Sequence, residues 1–251
     1  MKWLVLCLVP LTAFAKIKTE KVSYEKNGIK MEGFLAYNDK IKKPAPGIVI
    51  FPDWMGAGAY TEKRAVQLAE MGYVAFAADV YGVGNNPKDM SAAAALSGKY
   101  KEDRKLLRER AEAALTTLSS QKQVNKDKLA ATGYCFGGTT ALELARAGAP
   151  IKGVVSFHGG LSTNMKATSM APKVLVLHGG DDPYVPEKEV LEFQKEMREA
   201  KADWQLVSYG NTVHSFTQKE AGSDNSKGAA YNEVADKRSW ESMKDFLKEI
   251  F

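Results

Sequence analysis

Apolar and polar residues alternate with a period of two over residues 17–24 and 29–37, and Asn27-Gly28 between them is a dipeptide suited to a tight hairpin turn. The chain therefore opens with a predicted hairpin. After Pro44 and Pro46 the pattern changes to continuous apolar, β-branched runs. Residues 47–51 form the first, and similar runs recur at 73–78, 128–132, 151–157, 173–177 and 204–209. Strands of this kind are apolar on both faces, as in a parallel sheet covered from both sides. Helical periodicity lies between them, at 61–71, 92–119, 138–147 and 187–200, with a terminal helix over 231–250. This alternation predicts an α/β fold with a mainly parallel sheet and helices on both faces, binding ligands beyond the carboxyl ends of the strands.

The amino terminus departs from this pattern. Lys2 precedes an apolar stretch from Trp3 to Leu11 and then Ala13-Phe14-Ala15, a small-x-small cleavage pattern. Residues 1–15 read as a secretory signal peptide, too short to span a bilayer as a mature helix. The expected product is a periplasmic or secreted chain with no stable membrane association. With no repeat or linker visible, residues 16–251 are expected to form a single domain, within the size that one core can support. Cleavage would remove Cys7 and leave Cys135 as the mature chain's one cysteine, so no internal disulfide is expected.

Charge narrows the partners. The 35 basic and 30 acidic residues are dispersed, without the long basic blocks that follow a phosphate backbone, so nucleic acid is not expected. The densest run, residues 99–110, mixes both signs and reads as a solvated helix face. Oligomeric state is left open, with a monomer favoured.

The strongest chemical signal is Gly133-Tyr134-Cys135-Phe136-Gly137-Gly138, between a predicted strand and a predicted helix. A nucleophile elbow needs small residues two places before and after the reactive one, because a Cβ there would strike the neighbouring backbone. A thiol at the start of a helix also feels the positive end of the dipole, which favours the reactive thiolate. The Phe136 N–H is a candidate oxyanion donor, and the Trp54 N–H, in the loop after the third strand, is a candidate second donor. A buried structural cysteine is the competing reading.

Three histidines are available. His158 and His178 each follow a strand and are assigned structural or pocket-lining roles, whereas His214 lies in the loop after the last predicted strand, where the order nucleophile, acid, base places the base. The acid is expected in the preceding loop, Gly179 to Pro186, where Asp181 and Asp182 compete and spacing does not separate them.

These motifs resemble the dienelactone hydrolase family of the α/β-hydrolase fold. The resemblance is carried by Ile48 to Gly56, Asp79-Val80-Tyr81-Gly82, the Gly133 to Gly138 elbow, His178 to Pro186 and His214-Ser215-Phe216. It implies that Asp182, ahead of Tyr184-Val185-Pro186, is the acid, and that Asp53 takes the place of an accessory acidic residue that hydrogen-bonds the resting thiol. It also implies that Tyr81, Tyr184 and Phe216 contact the substrate. Family members that cleave dienelactone grip its carboxylate with two arginines, but Val83 and Gln218 stand at the matching places here. Without those bidentate groups, dienelactone itself is not the expected substrate. The expected activity is cleavage of a small ester or lactone by Cys135, His214 and Asp182, with no metal or cofactor. A non-catalytic exported binding protein and a thiol redox protein are the alternatives.

Overall fold

The computed structural model describes residues 16–251, so the signal peptide expected over residues 1–15 lies outside the described residues. Among these residues, eight strands form one sheet: β1 (Ile17–Lys26), β2 (Ile29–Asn38), β3 (Ala45–Phe51), β4 (Val74–Ala77), β5 (Val124–Tyr134), β6 (Gly153–Phe157), β7 (Lys173–Gly179) and β8 (Trp204–Tyr209). Their spatial order is β1-β2-β4-β3-β5-β6-β7-β8. The β1–β2 and β2–β4 pairs are antiparallel and the others parallel. The hairpin turns at Asn27 and Gly28, both with positive φ, as a two-residue turn matched to strand twist requires.

Among the described residues, six α-helices cover the sheet: α1 (Ala59–Glu70), α2 (Met90–Glu102), α3 (Arg104–Ser119), α4 (Phe136–Arg146), α5 (Glu187–Glu199) and α6 (Glu233–Ile250). The continuous apolar runs are explained by two cores. Val49, Phe51, Val154, Val174 and Val176 pack toward α2 to α5. Their neighbours Ile48, Ile50, Val155, Leu175 and Leu177 pack on the opposite face, toward α1 and α6. This is the mainly parallel, doubly covered α/β architecture that the strand and helix pattern predicts.

Two expectations change. The helical pattern over 92–119 is two helices, because Asp103 leaves the helical conformation and its carboxylate accepts the Leu106 N–H at 2.9 Å, capping α3. The charge run over 99–110 is also not simply a solvated face, since Arg104 and Arg110 are each only 5% exposed. Glu143 of α4, fully buried, draws in Arg108 at 2.8 Å and Arg146 at 3.0 Å, with Arg104 at 3.9 Å. These guanidiniums also reach main-chain carbonyls of the long segment after β6: Arg104 to Ser162, Arg108 to Met165 and Arg146 to Leu161. Arg110 donates instead to the Lys26 carbonyl at 2.6 Å, fastening α3 to the end of β1. Partnering lets these charges be buried.

Candidate active site

At the end of β5 the chain turns into α4 within one residue. Cys135 occupies that turn with φ of 54° and ψ of −118°, a conformation that L-residues seldom adopt. Close backbone approach makes glycine necessary on either side. A Cβ at Gly133 would lie 2.0 Å from the Gly137 carbonyl oxygen, and one at Gly137 would lie 2.1 Å from that of Phe51. Cys135 is partly exposed, and the Phe136 N–H follows it in the first turn of α4, where backbone donors have no intrahelical partner.

His214 comes from the loop after β8, and Asp182 from the loop between β7 and α5. The His214 Nδ1 lies 2.7 Å from Asp182 Oδ2, and the carboxylate's other oxygen accepts the Tyr184 N–H at 2.8 Å. Asp181 is exposed whereas Asp182 is buried against His214, so the geometry distinguishes two aspartates that spacing left equivalent. Burial alone would lower the His214 pKa. The charge of the Cys135 sulfur and hydrogen bonds with Asp182 and Cys135 outweigh burial and hold the ring at about 10. With Nδ1 committed to Asp182, Nε2 is the nitrogen available to the sulfur.

The loop after β3 supplies the facing wall. Asp53 accepts the Met55 N–H at 2.7 Å, and its carbonyl accepts the Gly56 N–H at 3.0 Å. The Tyr81 hydroxyl donates to the Trp54 carbonyl at 3.1 Å. None of these bonds uses the Trp54 N–H.

Several expected roles are altered. Asp53 does not bond the thiol: its second oxygen accepts from the Gln218 amide, and burial pushes its carboxyl up despite the bonds from Met55 and Gln218. Tyr81 is 3% exposed and stacks on Phe136 with centroids 5.6 Å apart, so it is packed into the wall of the site. Phe216 is fully buried against His158 and Tyr209 and likewise lines no open surface. Tyr184 differs: it is 60% exposed, and its ring stands edge-on to His214 at 5.4 Å, in position to contact a ligand. Val83 is 62% exposed, and Gln218 is occupied by Asp53.

One residue was underestimated from sequence. His158 lies behind the site, accepting the Cys135 N–H at Nδ1 (3.1 Å) and meeting the Thr217 hydroxyl at Nε2 (2.8 Å). The only sequence signal was a histidine directly after a strand and before Gly159-Gly160. Among the described residues, no group of three or more His, Cys, Asp or Glu side chains could hold a metal. No helix among them is long and apolar enough to cross a membrane.

The eight-stranded sheet, with a sharp strand-to-helix turn at its centre and a His–Asp pair on the following loops, defines an α/β-hydrolase. Comparison with known proteins refines this. The model of the dienelactone hydrolase family matches residues 31–251, and the chain belongs to that family. A solved dienelactone hydrolase-like promiscuous phosphotriesterase from metagenomic libraries is 39% identical, with a TM-score of 0.89 over 95% of this chain and 100% of its own. Another solved structure, named m3DLH, is 38% identical, with a TM-score of 0.90 over 94% of this chain and 99% of its own. A Bradyrhizobium sp protein named "Probable 2-oxo-3-(5-oxofuran-2-ylidene)propanoate lactonase" is 29% identical over 216 residues, 81% of this chain and 83% of that protein. The chain is an ester or lactone hydrolase.

Proposed function

We propose that the protein hydrolyses a small, uncharged carboxylic ester or lactone through a Cys135 thioester, with His214 as general acid and base and Asp182 as its orienting partner. The observation that carries this reading is the strained Cys135 turn beside a His214 ring that Asp182 holds at 2.7 Å. The Cys135 sulfur, its proton already held on His214 Nε2, attacks the carbonyl carbon, and the C=O electrons move to oxygen, where the Phe136 and Trp54 N–H groups receive the charge. As the tetrahedral adduct collapses, the C–O bond breaks and the His214 Nε2 proton passes to the leaving alcohol. His214 then removes a proton from water, hydroxide adds to the thioester, and the C–S bond breaks to release the acid and restore the sulfur. Asp182 stabilises the imidazolium that faces the sulfur before attack and that forms again when water loses its proton.

The exposed Val83, and a Gln218 amide already spent on Asp53, support a substrate without a carboxylate to be gripped. The phosphotriesterase relative supports a second substrate class, neutral phosphate triesters attacked by the same sulfur. The amino-terminal pattern of residues 1–15 supports export, with the mature protein acting in the periplasm or outside the cell.

The test is release of nitrophenol from short-chain nitrophenyl esters by residues 16–251. Turnover by the native chain and its loss in Cys135→Ala are expected. Saturable binding without product would favour a binding protein, and undiminished turnover in Cys135→Ala would remove the proposed nucleophile.

A further inference from the structure

Resting on the assignment of Cys135 and His214 as nucleophile and base, we propose that His158 is a positioning residue. Its imidazole bridges the nucleophile elbow and the loop of the base through one hydrogen bond at each ring nitrogen.

The donors fix the tautomer. The Cys135 N–H, which also points at the Phe157 carbonyl at 3.0 Å, approaches His158 Nδ1 at 3.1 Å, so Nδ1 must accept. Nε2 then carries the proton and donates to Thr217 Oγ1 at 2.8 Å. Thr217 lies three residues beyond His214 on the same loop. One neutral ring thus holds the main chain of the nucleophile and the loop of the base at a fixed separation.

The far side of the bridge is braced. The Tyr60 hydroxyl meets Thr217 Oγ1 at 2.7 Å and accepts from Arg64 Nε at 3.2 Å, while Arg64 reaches Asp236 at 2.8 Å. Ring contacts pack the bridge closely: His214 stands 5.2 Å away and Phe216 5.1 Å away, both edge-on to His158. Two strained residues are joined by this bond, since His158 has φ of 40° and Cys135 φ of 54°. The His158 main chain is itself pinned to β7 by its N–H on the Leu177 carbonyl at 2.8 Å.

The bridge works only while the ring is uncharged, because protonated Nδ1 would face the Cys135 N–H donor to donor. The groups around it keep it so. Burial comes first, followed by His214 on the base loop; a hydrogen bond to the residue's own main chain pulls the other way but is outweighed, and Arg64 from α1 adds a further positive charge, with Tyr60 of α1 and Tyr134 of β5 completing the polar surroundings. Removing the Thr217 acceptor would free the ring to turn or take the other tautomer. The elbow and the base loop would then shift relative to each other and weaken the contact between sulfur and imidazole.

The test compares Thr217→Val, which keeps shape and loses the acceptor, with Thr217→Ser, which keeps the acceptor. For each, kcat/KM on nitrophenyl acetate and the rate of Cys135 alkylation by iodoacetamide are followed against pH. Thr217→Val is expected to lower kcat/KM by about tenfold, chiefly in kcat, and to move the acid limb of both profiles up by about one pH unit, whereas Thr217→Ser restores both. His158→Asn, able to accept from the elbow but too short to reach Thr217, should match Thr217→Val and serves if that variant folds poorly. Native pH profiles in Thr217→Val or His158→Asn, even with a lower melting temperature, would overturn the bridge. Full activity in Cys135→Ala would instead overturn the assignment of the nucleophile on which it rests.

Discussion

His158 and His214 lie 5.2 Å apart, ring to ring, and both are buried, yet their surroundings drive them to opposite charge states. At the end of β6, burial and the neighbouring His214 keep His158 well below the usual histidine range, and its ring partners are a main-chain N–H and a hydroxyl. On the loop after β8, the same burial is overcome by the Cys135 sulfur and the Asp182 carboxylate, which hold His214 at about 10. Partner charge, not depth, decides which ring carries a proton. The arrangement divides labour: the charged ring is suited to proton transfer and the neutral one to fixing distances.

The largest expected effect comes from removing the charged ring. His214→Ala should lower kcat by about a million-fold, as loss of a base in a comparable triad does, while His158→Asn should cost far less. Asp182→Asn comes next, at about ten-thousand-fold in kcat, because an amide presented to Nδ1 favours the wrong tautomer. Steady-state kinetics on a nitrophenyl ester measures both losses, and equal losses at the two histidines would erase the proposed division.

Charge itself can be followed by NMR titration of the histidine ring protons. Cys135→Ala should bring His214 down from about 10, since the sulfur is among the groups that raise it, and should leave His158 untitrated through pH 6.5. The same asymmetry appears in stability. The folded chain keeps His158 neutral, whereas the unfolded chain takes up a proton near 6.5, so this residue's contribution is intact above that pH and is lost as pH falls below it. While His158 stays neutral, each unit below 6.5 should cost about 1.4 kcal/mol, read as a declining urea midpoint that His158→Asn flattens. The smallest effect is expected at Asp53→Asn, less than about tenfold in kcat/KM, because this carboxylate meets Met55 and Gln218 and not the sulfur.

Much of this organisation was legible in the sequence because it depends on local pattern. Two-sided strands need continuous apolar runs, Asn27-Gly28 permits the hairpin, and Gly133 and Gly137 allow a bend that any Cβ would block. The residues Asp182 and His214 sit where the order of strands and loops brings them together. What escaped depends on encounters between distant segments. Arg104 and Arg110 read as surface charges until Glu143 and the Lys26 carbonyl are brought against them. Asp53 was expected at the thiol, but Gln218 arrives from the far end of the chain and takes its free oxygen. Tyr81 and Phe216 carry aromatic side chains suited to substrate contact, yet both face inward, and only packing reveals their direction. His158 bore no motif at all, because its role arises from two bonds made by its ring in three dimensions.

The central claim, a covalent intermediate on the elbow sulfur, is tested most directly by intact-mass and peptide mass spectrometry of the chain quenched in acid during turnover of a nitrophenyl ester. The account predicts one acyl group per chain, carried by the peptide containing Cys135 and absent from Cys135→Ala. Rapid turnover with no acyl group on that peptide, or with the group on another side chain, would contradict it.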